Sequence, residues 1–348
     1  MGGPRLLACL RMWVTVEQET GDLATRSHLH SMQQPTQFVI EEDRGTRWNR
    51  RGWLLSVLGW DGCLPLIVAI SPAVLLFVIP ERDLGELTVS IPFNDEAALA
   101  SALATHDIAC VLAEPVMTNC GMILPDPGFH DVLRRLTSAA GTLLLIDETH
   151  TISTGPGGYS RMHGLDPDLM VMGKPIGGGI PVSVWGMSEA VAERLHVVRR
   201  EQSGHGHSGI GTTLSGSALQ LACLRACLEH VMTEEAYAKM QANADRIEAG
   251  FKAAITGAGL DWTVSRVGAR LEVVFSALPV KNAAEARAAA SDTIEAALHL
   301  SMLNLGYLLT PFHNMVLVSP ALSEEQAGGL VNAFSTVLER LIERRAAA

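Results

Sequence analysis

Two oppositely charged residues stand at the ends of two short apolar runs near the middle of the chain. Leu143–Ile146 is followed by Asp147, and Leu169–Met172 is followed by Gly173 and Lys174. Each run has the length of a buried strand, and the functional groups of an open α/β sheet gather at the carboxyl ends of its strands. We therefore expect Asp147 and Lys174, which are 27 positions apart, to lie at one edge of the same sheet.

An amine and a carboxylate held at one sheet edge suit the cofactor pyridoxal phosphate. A lysine amine can condense with the cofactor's aldehyde, and a carboxylate can pair with its pyridinium nitrogen. Gly177–Gly179 follow Lys174 and let the backbone approach a flat ligand closely. Taken singly, Asp147 could instead cap a turn, and Lys174 could be a solvated loop residue. A phosphate-binding P-loop is excluded, because Pro175 follows the lysine and Asp168 stands where that motif needs glycine.

Two longer motifs resemble a known family. IDETHT, with GKPIGGGIP further along, resembles the cofactor-lysine signature of class III aminotransferases, especially members like glutamate-1-semialdehyde aminomutase. GTTLSG at 211–216 resembles a second segment of that family, and the likeness covers about residues 87–345. It implies a fold type I pyridoxal-phosphate transferase with a mostly parallel α/β sheet, helices on both faces and a small α+β C-terminal domain. The implied reaction moves an amino group between an amine or amino acid and a carbonyl compound, as a transaminase or an aminomutase.

The resemblance also assigns roles to single residues. Lys174 would carry the cofactor and then move a proton, and Asp147 would hold the ring nitrogen protonated. Thr149 stands where the family has valine and would pack on the ring. Thr213 would reach across a homodimer interface to the neighbour's cofactor phosphate, although it could equally be an ordinary cap of the helix that follows.

Two further candidates follow the strand expected at residues 108–112. Glu114 begins a Glu-Pro pair like one in the family, and Asn119 lies in a loop that ends in glycine, as the family's loop does. Glu114 could orient the substrate or Lys174. It could also be a strand-end acid held by backbone N–H groups, and both interpretations stay open.

Composition sets the class of protein and of partner. The chain has 348 residues, 48% hydrophobic and 18% charged, with a net charge of −11. These values indicate a globular protein and argue against a nucleic-acid groove, whereas the resemblance implies small-molecule partners, an amino donor and a carbonyl acceptor. Six cysteines without a Cys-x-x-Cys pair favour a reducing cytoplasmic setting without a disulfide framework.

No metal site is predicted. His205 and His207 lack a third ligand, and a structural or catalytic site needs at least three converging groups. His150 stands two positions after Glu148, but side chains leaving a strand at that spacing need not converge. His150 is therefore not expected to bind a metal, and His205 and His207 are expected to lie in a flexible loop.

We expect three regions along the chain. Residues 1–86 form an atypical N-terminal segment, 87–214 a cofactor-binding large domain, and 215–348 an interface helix with the small C-terminal domain. The uncharged stretch 63–80 is just long enough to be considered as a membrane span, but its prolines favour two buried strands. The family's phosphate-binding helix start has no recognisable counterpart, which motivates an alternative: a non-enzymatic dimeric homologue.

Several helix ends are predicted from capping residues. We expect Asn94 to cap a helix that runs to about residue 106, and Thr233 to cap a long helix that runs to about residue 255. Ser323 to Gln326 form a capping box for the last helix. Residues 283–303 are expected to form one continuous helix.

Overall fold

The computed structural model describes residues 38–42, 88–201, 215–310 and 313–347, and these fall into two compact units. The first unit contains the described residues up to Pro115, with Gly128–His150 and Gly164–Leu228. The second contains Val116–Pro127, Thr151–His163 and the described residues from Glu229 onward. The domain boundaries expected at 86/87 and 214/215 lie outside the described residues and stay predictions.

The first unit is built on a six-stranded sheet. Its strands are β1 (Phe38–Glu42), β2 (Thr88–Ile91), β3 (Ile108–Ala113), β4 (Leu143–Asp147), β5 (Leu169–Met172) and β6 (Val184–Met187), in the spatial order β2-β1-β3-β4-β5-β6. β3, β4 and β5 are parallel neighbours, whereas β1 and β6 run antiparallel to the strands beside them. Four of the six strands therefore point the same way, which confirms the expected mostly parallel sheet. β1 was not anticipated, because the sequence before residue 87 shows little periodicity.

Nine helices are present in the described part of the chain. They are α1 (Glu96–Leu103), α2 (Phe129–Ala140), α3 (Gly158–His163), α4 (Glu189–Glu201), α5 (Ala218–His230), α6 (Glu234–Gly257), α7 (Ala283–Ala289), α8 (Asp292–Asn304) and α9 (Glu324–Ala347). Two short 3₁₀ turns, Thr151–Thr154 and Lys174–Gly177, follow β4 and β5.

The burial of β4 is typical of a central strand in a parallel sheet. Leu144, Leu145 and Ile146 of β4 are each at most 2% exposed, as expected for a parallel strand covered on both faces. α2 contributes an apolar face next to this sheet, with Phe129 and Leu133 buried.

The cap of α1 differs from the expectation. Asp95, not Asn94, is the N-cap, and its Oδ1 accepts a hydrogen bond of 2.8 Å from the Ala98 N–H. Asn94 instead adopts φ +65° and turns the chain between β2 and the helix. Asn and Asp both suit either position, so composition alone did not separate their roles.

The second unit combines a three-stranded antiparallel sheet with long helices. Its strands are β7 (Thr263–Val267), β8 (Arg270–Val274) and β9 (Met315–Leu317), in that spatial order. α6 packs against α9 in the core, where the rings of Phe251 and Phe334 stack with centroids 3.9 Å apart. This is the small α+β body that the resemblance implied.

Capping predictions in this unit are confirmed at two helices, and the predicted extent of another helix is wrong. Thr233 caps α6 by accepting from the Ala236 N–H, and the side chains of Ser323 and Gln326 each accept from the other's backbone N–H. The single helix expected from 283 to 303 is two helices. Ala290 is extended and Ser291 caps α8, so the chain breaks within an alanine-rich run that carries no glycine or proline.

Within the ranges that the structure covers, no helix combines the length and the apolar character needed to cross a bilayer. The stretch 63–80 lies outside those ranges. Cys110, Cys120, Cys223 and Cys227 are free thiols.

Candidate active site

The parallel registers bring three predicted residues to one edge of the sheet. Ala113 pairs with Ile146, and Asp147 pairs with Val171, so β3, β4 and β5 end close together. Glu114 follows β3 directly, Asp147 is the last residue of β4, and Lys174 lies two residues after β5.

Asp147 is buried and only partly compensated. Its side chain is 7% exposed and its Oδ1 accepts a hydrogen bond of 2.8 Å from the Thr149 N–H. Burial raises the pKa of the carboxyl, while the hydrogen bonds from Thr149 and the charge of Lys174 lower it in part. A cationic N–H group beside this carboxylate would stabilise its charged form, and a protonated pyridine ring carries such a group. The residues present therefore fit pyridoxal phosphate.

Lys174 begins the 3₁₀ turn after β5 and is exposed. Its φ of +52° is in the left-handed region, where a non-glycine residue is strained. Such strain is common where a backbone is fixed to aim a functional side chain. The turn continues through Gly177, where an added Cβ would lie 2.4 Å from Val182 Cγ1, so glycine is needed there for packing.

His150 lies between Lys174 and Glu114, an arrangement that the sequence analysis does not predict. The amine of Lys174 contacts His150 Nε2, and His150 Nδ1 lies 4.0 Å from Glu114 Oε2. Both His150 and Glu114 are buried, at 5% and 4% exposure. The position of His150, three residues after Asp147 on the exit from the same strand, is the signal that could have placed it near this edge.

Three further residues, Thr149, Asn119 and Thr213, are predicted for the site. Thr149 is half-buried and donates its backbone N–H to Asp147. Asn119 belongs to the second unit, in the loop closed by the bridge between Met117 and Ile123. Thr213 lies outside the described residues, so its predicted contact with a phosphate stays a prediction.

The part of the chain described by the structure contains no group of three or more His, Cys, Asp or Glu side chains arranged to hold a metal ion. His205 and His207 lie outside that part.

Several known proteins are similar to this chain in sequence or in structure. The glutamate-1-semialdehyde 2,1-aminomutase of Myxococcus xanthus is 32% identical over 292 residues, which cover 80% of this chain and 66% of that protein. Among solved structures, a glutamate-1-semialdehyde-aminomutase variant from Pseudomonas aeruginosa PAO1, in complex with PMP, is 45% identical with a TM-score of 0.70. The match covers 75% of this chain and 62% of that one. A β-phenylalanine aminotransferase from Variovorax paradoxus is 25% identical with a TM-score of 0.64, over 72% of this chain and 57% of the other.

The chain thus spans about two thirds of the length of these aminomutases. Over residues 77–338 it matches the family model of the class-III aminotransferases, and it belongs to that family.

Proposed function

We propose that this protein is a pyridoxal-phosphate-dependent enzyme that moves an amino group between an amine or amino acid and a carbonyl compound. The observation that carries the proposal is the meeting of Lys174 and Asp147 at one sheet edge. Asp147 is buried there, and the charge of Lys174 acts on its carboxyl. The similarity to a structure that binds PMP supports the same cofactor.

The cofactor, when bound, supplies an aldehyde for amine attachment and a ring that withdraws electrons from the substrate carbon. Asp147 would hold the ring nitrogen protonated, because a buried carboxylate is stabilised by a cation beside it. Thr149 fixes the orientation of Asp147 through its backbone N–H at 2.8 Å. We assign Thr149, Glu114, Asn119 and Thr213 to the cofactor's surroundings on the strength of the family motifs.

Lys174 has two tasks in this proposal. Its Nζ would hold the cofactor through the cofactor's aldehyde, and as a free amine it would serve as base and then acid. As base, Nζ would take a proton from the substrate carbon that bears nitrogen. As acid, Nζ would return that proton to the carbon on the other side of the same nitrogen.

A transaminase and an aminomutase would use these residues alike. In the first, a keto product leaves and a different carbonyl compound receives the amino group. In the second, the same carbon skeleton takes the amino group back at another position. The relatives include both kinds, an aminotransferase and aminomutases.

The proposed assembly is a homodimer in the cytoplasm, with Thr213 of one subunit near the phosphate held by the other. The family motif around Thr213 supports this arrangement. Light scattering of the purified protein measures the mass directly. If a monomer still turned over amines, Thr213 of a second subunit would not be part of the site.

Turnover with a panel of amines tests the proposed reaction. Protein loaded with pyridoxal phosphate should lose its cofactor absorbance when a suitable amine is added and regain it with a carbonyl acceptor. Lys174→Ala should lose turnover by at least about a thousandfold, because both the attachment point and the proton carrier are removed. Lys252→Ala, which changes an exposed lysine paired with Glu248, is the matched control. A dimer that binds the cofactor but responds to no amine would instead indicate a non-enzymatic protein.

A further inference from the structure

Three polar side chains from three segments form a line at the sheet edge. Glu114 follows β3, His150 lies three residues beyond β4, and Lys174 follows β5. The imidazole of His150 lies between the other two, with Nε2 against the lysine amine and Nδ1 4.0 Å from Glu114 Oε2. All three belong to the first unit.

The arrangement determines which imidazole nitrogen carries the proton. An ammonium group can only donate hydrogen bonds, so the Nε2 that it meets must be an acceptor. The proton of neutral His150 then lies on Nδ1, the nitrogen that faces the buried Glu114 carboxylate. Glu114 stabilises this tautomer because a negative charge attracts the Nδ1–H dipole.

Intrinsic basicity puts the shared proton on the lysine. An unperturbed lysine amine is more basic than an imidazole by about four pH units. Lys174 is exposed, which keeps its ammonium form hydrated, whereas His150 is 5% exposed, and burial disfavours an imidazolium. Lys174 is therefore the cation, and neutral His150 is the acceptor.

Other charged groups at this edge favour the same proton position. At the end of β4, Asp147 acts electrostatically on Lys174. Glu148, beside it in sequence, has a fully buried side chain. Glu114 is the acidic residue that follows β3. Carboxylates near the amine stabilise its charged form.

We propose that His150 is a positioning residue that binds the ammonium group of Lys174 when this side chain is not joined to the cofactor. Glu114 fixes the imidazole tautomer. This inference rests on the proposed function. In the reaction, Lys174 Nζ uses its lone pair to bind the proton removed from the substrate carbon, and it thereby becomes an ammonium. His150 Nε2 then accepts a hydrogen bond from that ammonium and holds it beside Asp147 until the proton is returned to carbon.

Competitive labelling of lysines measures the docking without any catalysis. The full chain, stripped of cofactor, is pulsed with acetic anhydride from pH 6 to 11, and acetylation of each lysine peptide is read by mass spectrometry. The sequence has four lysines, so Lys239, Lys252 and Lys281 serve as internal standards. His150→Leu should lower the labelling midpoint of Lys174 by about one pH unit, since a hydrogen bond to the charged form is lost.

Two more variants separate docking from general structure. Glu114→Gln, which leaves His150 in place, should also lower the Lys174 labelling midpoint, but by less than His150→Leu does. His150→Gln keeps an acceptor oxygen and should retain a midpoint close to that of the wild type. His196→Leu, at an exposed position on α4, is the matched control and should change nothing.

An unchanged Lys174 midpoint in both His150→Leu and Glu114→Gln would overturn the docking role. If His150→Leu fails to fold, all four lysines will shift together, and Glu114→Gln then decides alone. The outcome is separate from that of the proposed function. A wild-type chain that does not bind pyridoxal phosphate refutes the function, while the labelling midpoints still report the docking.

Discussion

Asp147 occupies an environment that suits a carboxylate poorly until a cation joins it. Burial raises the pKa of its carboxyl, and hydrogen bonds from the side chain and backbone of Thr149, together with the charge of Lys174, offset that effect only in part. A buried group of this kind destabilises the empty protein and is stabilised by its ligand. Sites that bind charged ligands commonly show this opposition between stability and function.

Replacing Asp147 by asparagine should therefore have two opposite effects. The cofactor-free variant should melt higher than the wild type at pH 7, because the folded pKa is raised and the ionised form is disfavoured in the folded state. The difference should shrink as the pH falls through the raised folded-state pKa of Asp147, and it should be gone below about 4, where the folded and unfolded carboxyls both bind a proton. Amine turnover should fall by about a hundredfold or more, since the charge facing the ring nitrogen is lost.

Calorimetry across pH and amine turnover measure the two effects of this substitution. Asp107→Asn, at an exposed position before β3, is the control for a change of net charge. A variant of Asp147 that loses stability at pH 7 and keeps full turnover would show that the carboxylate serves the fold.

At the residue scale, the sequence could predict Asp147 and Lys174 as neighbours, because each follows an apolar run that ends at the same edge. The position of His150, three residues after Asp147, could have placed it near that edge, but the sequence could not predict its contact with Lys174. That contact depends on how the chain turns after β4, and such turns follow from packing more than from local composition. Glu114 was ambiguous for the same reason: its neighbour His150 is 36 residues away.

At the scale of elements, the turn that follows His150 rests on a hairpin of the second unit. Thr151–Thr154 forms a 3₁₀ turn, and the β7–β8 hairpin turn lies against its backbone within that unit. Gly268 opens the hairpin turn with φ +55°, and a Cβ there would lie 2.4 Å from Thr154 Cα and 2.9 Å from Ser153 O. Neither contact can be relieved by a side-chain rotation, because both atoms belong to the backbone.

Gly268→Ala should accordingly destabilise the protein by about 3 kcal/mol, which combines a left-handed backbone with a steric clash. Gly259→Ala is the matched control. Gly259 has a similar φ of +64° but nothing within 4 Å of an added Cβ, so its cost should be about 1 kcal/mol. Denaturant unfolding measures the loss of unfolding free energy in each variant. Equal losses would mean that the hairpin turn does not contact the backbone of Thr151–Thr154 closely.

Helix ends show where local signals suffice and where they fail. Thr233 and the pair Ser323 and Gln326 use side chains that satisfy backbone N–H groups directly, so these starts were predictable. The break at Ala290 was not predicted, although Ser291 is a favoured N-cap residue and its Oγ accepts a hydrogen bond from the Ile294 N–H. The alanines on both sides of Ser291 favour a continuous helix, so the cap signal was outweighed in the sequence.

For the whole molecule, we propose that the described residues supply the side of the site that handles the amine and the ring nitrogen. The phosphate side is predicted for Thr213 across a dimer interface. Family membership rests on residues 77–338, and about two thirds of each aminomutase is matched. The covalent partner proposed for the cofactor is thus Lys174, one of four lysines in the sequence.

Borohydride trapping tests that claim most directly. The full chain is incubated with pyridoxal phosphate, reduced, digested and analysed by mass spectrometry. The cofactor's mass should appear on the peptide that contains Lys174, and Lys174→Ala should carry none. Stoichiometric addition to Lys239, Lys252 or Lys281, or trapping that is unchanged in Lys174→Ala, would contradict the assignment.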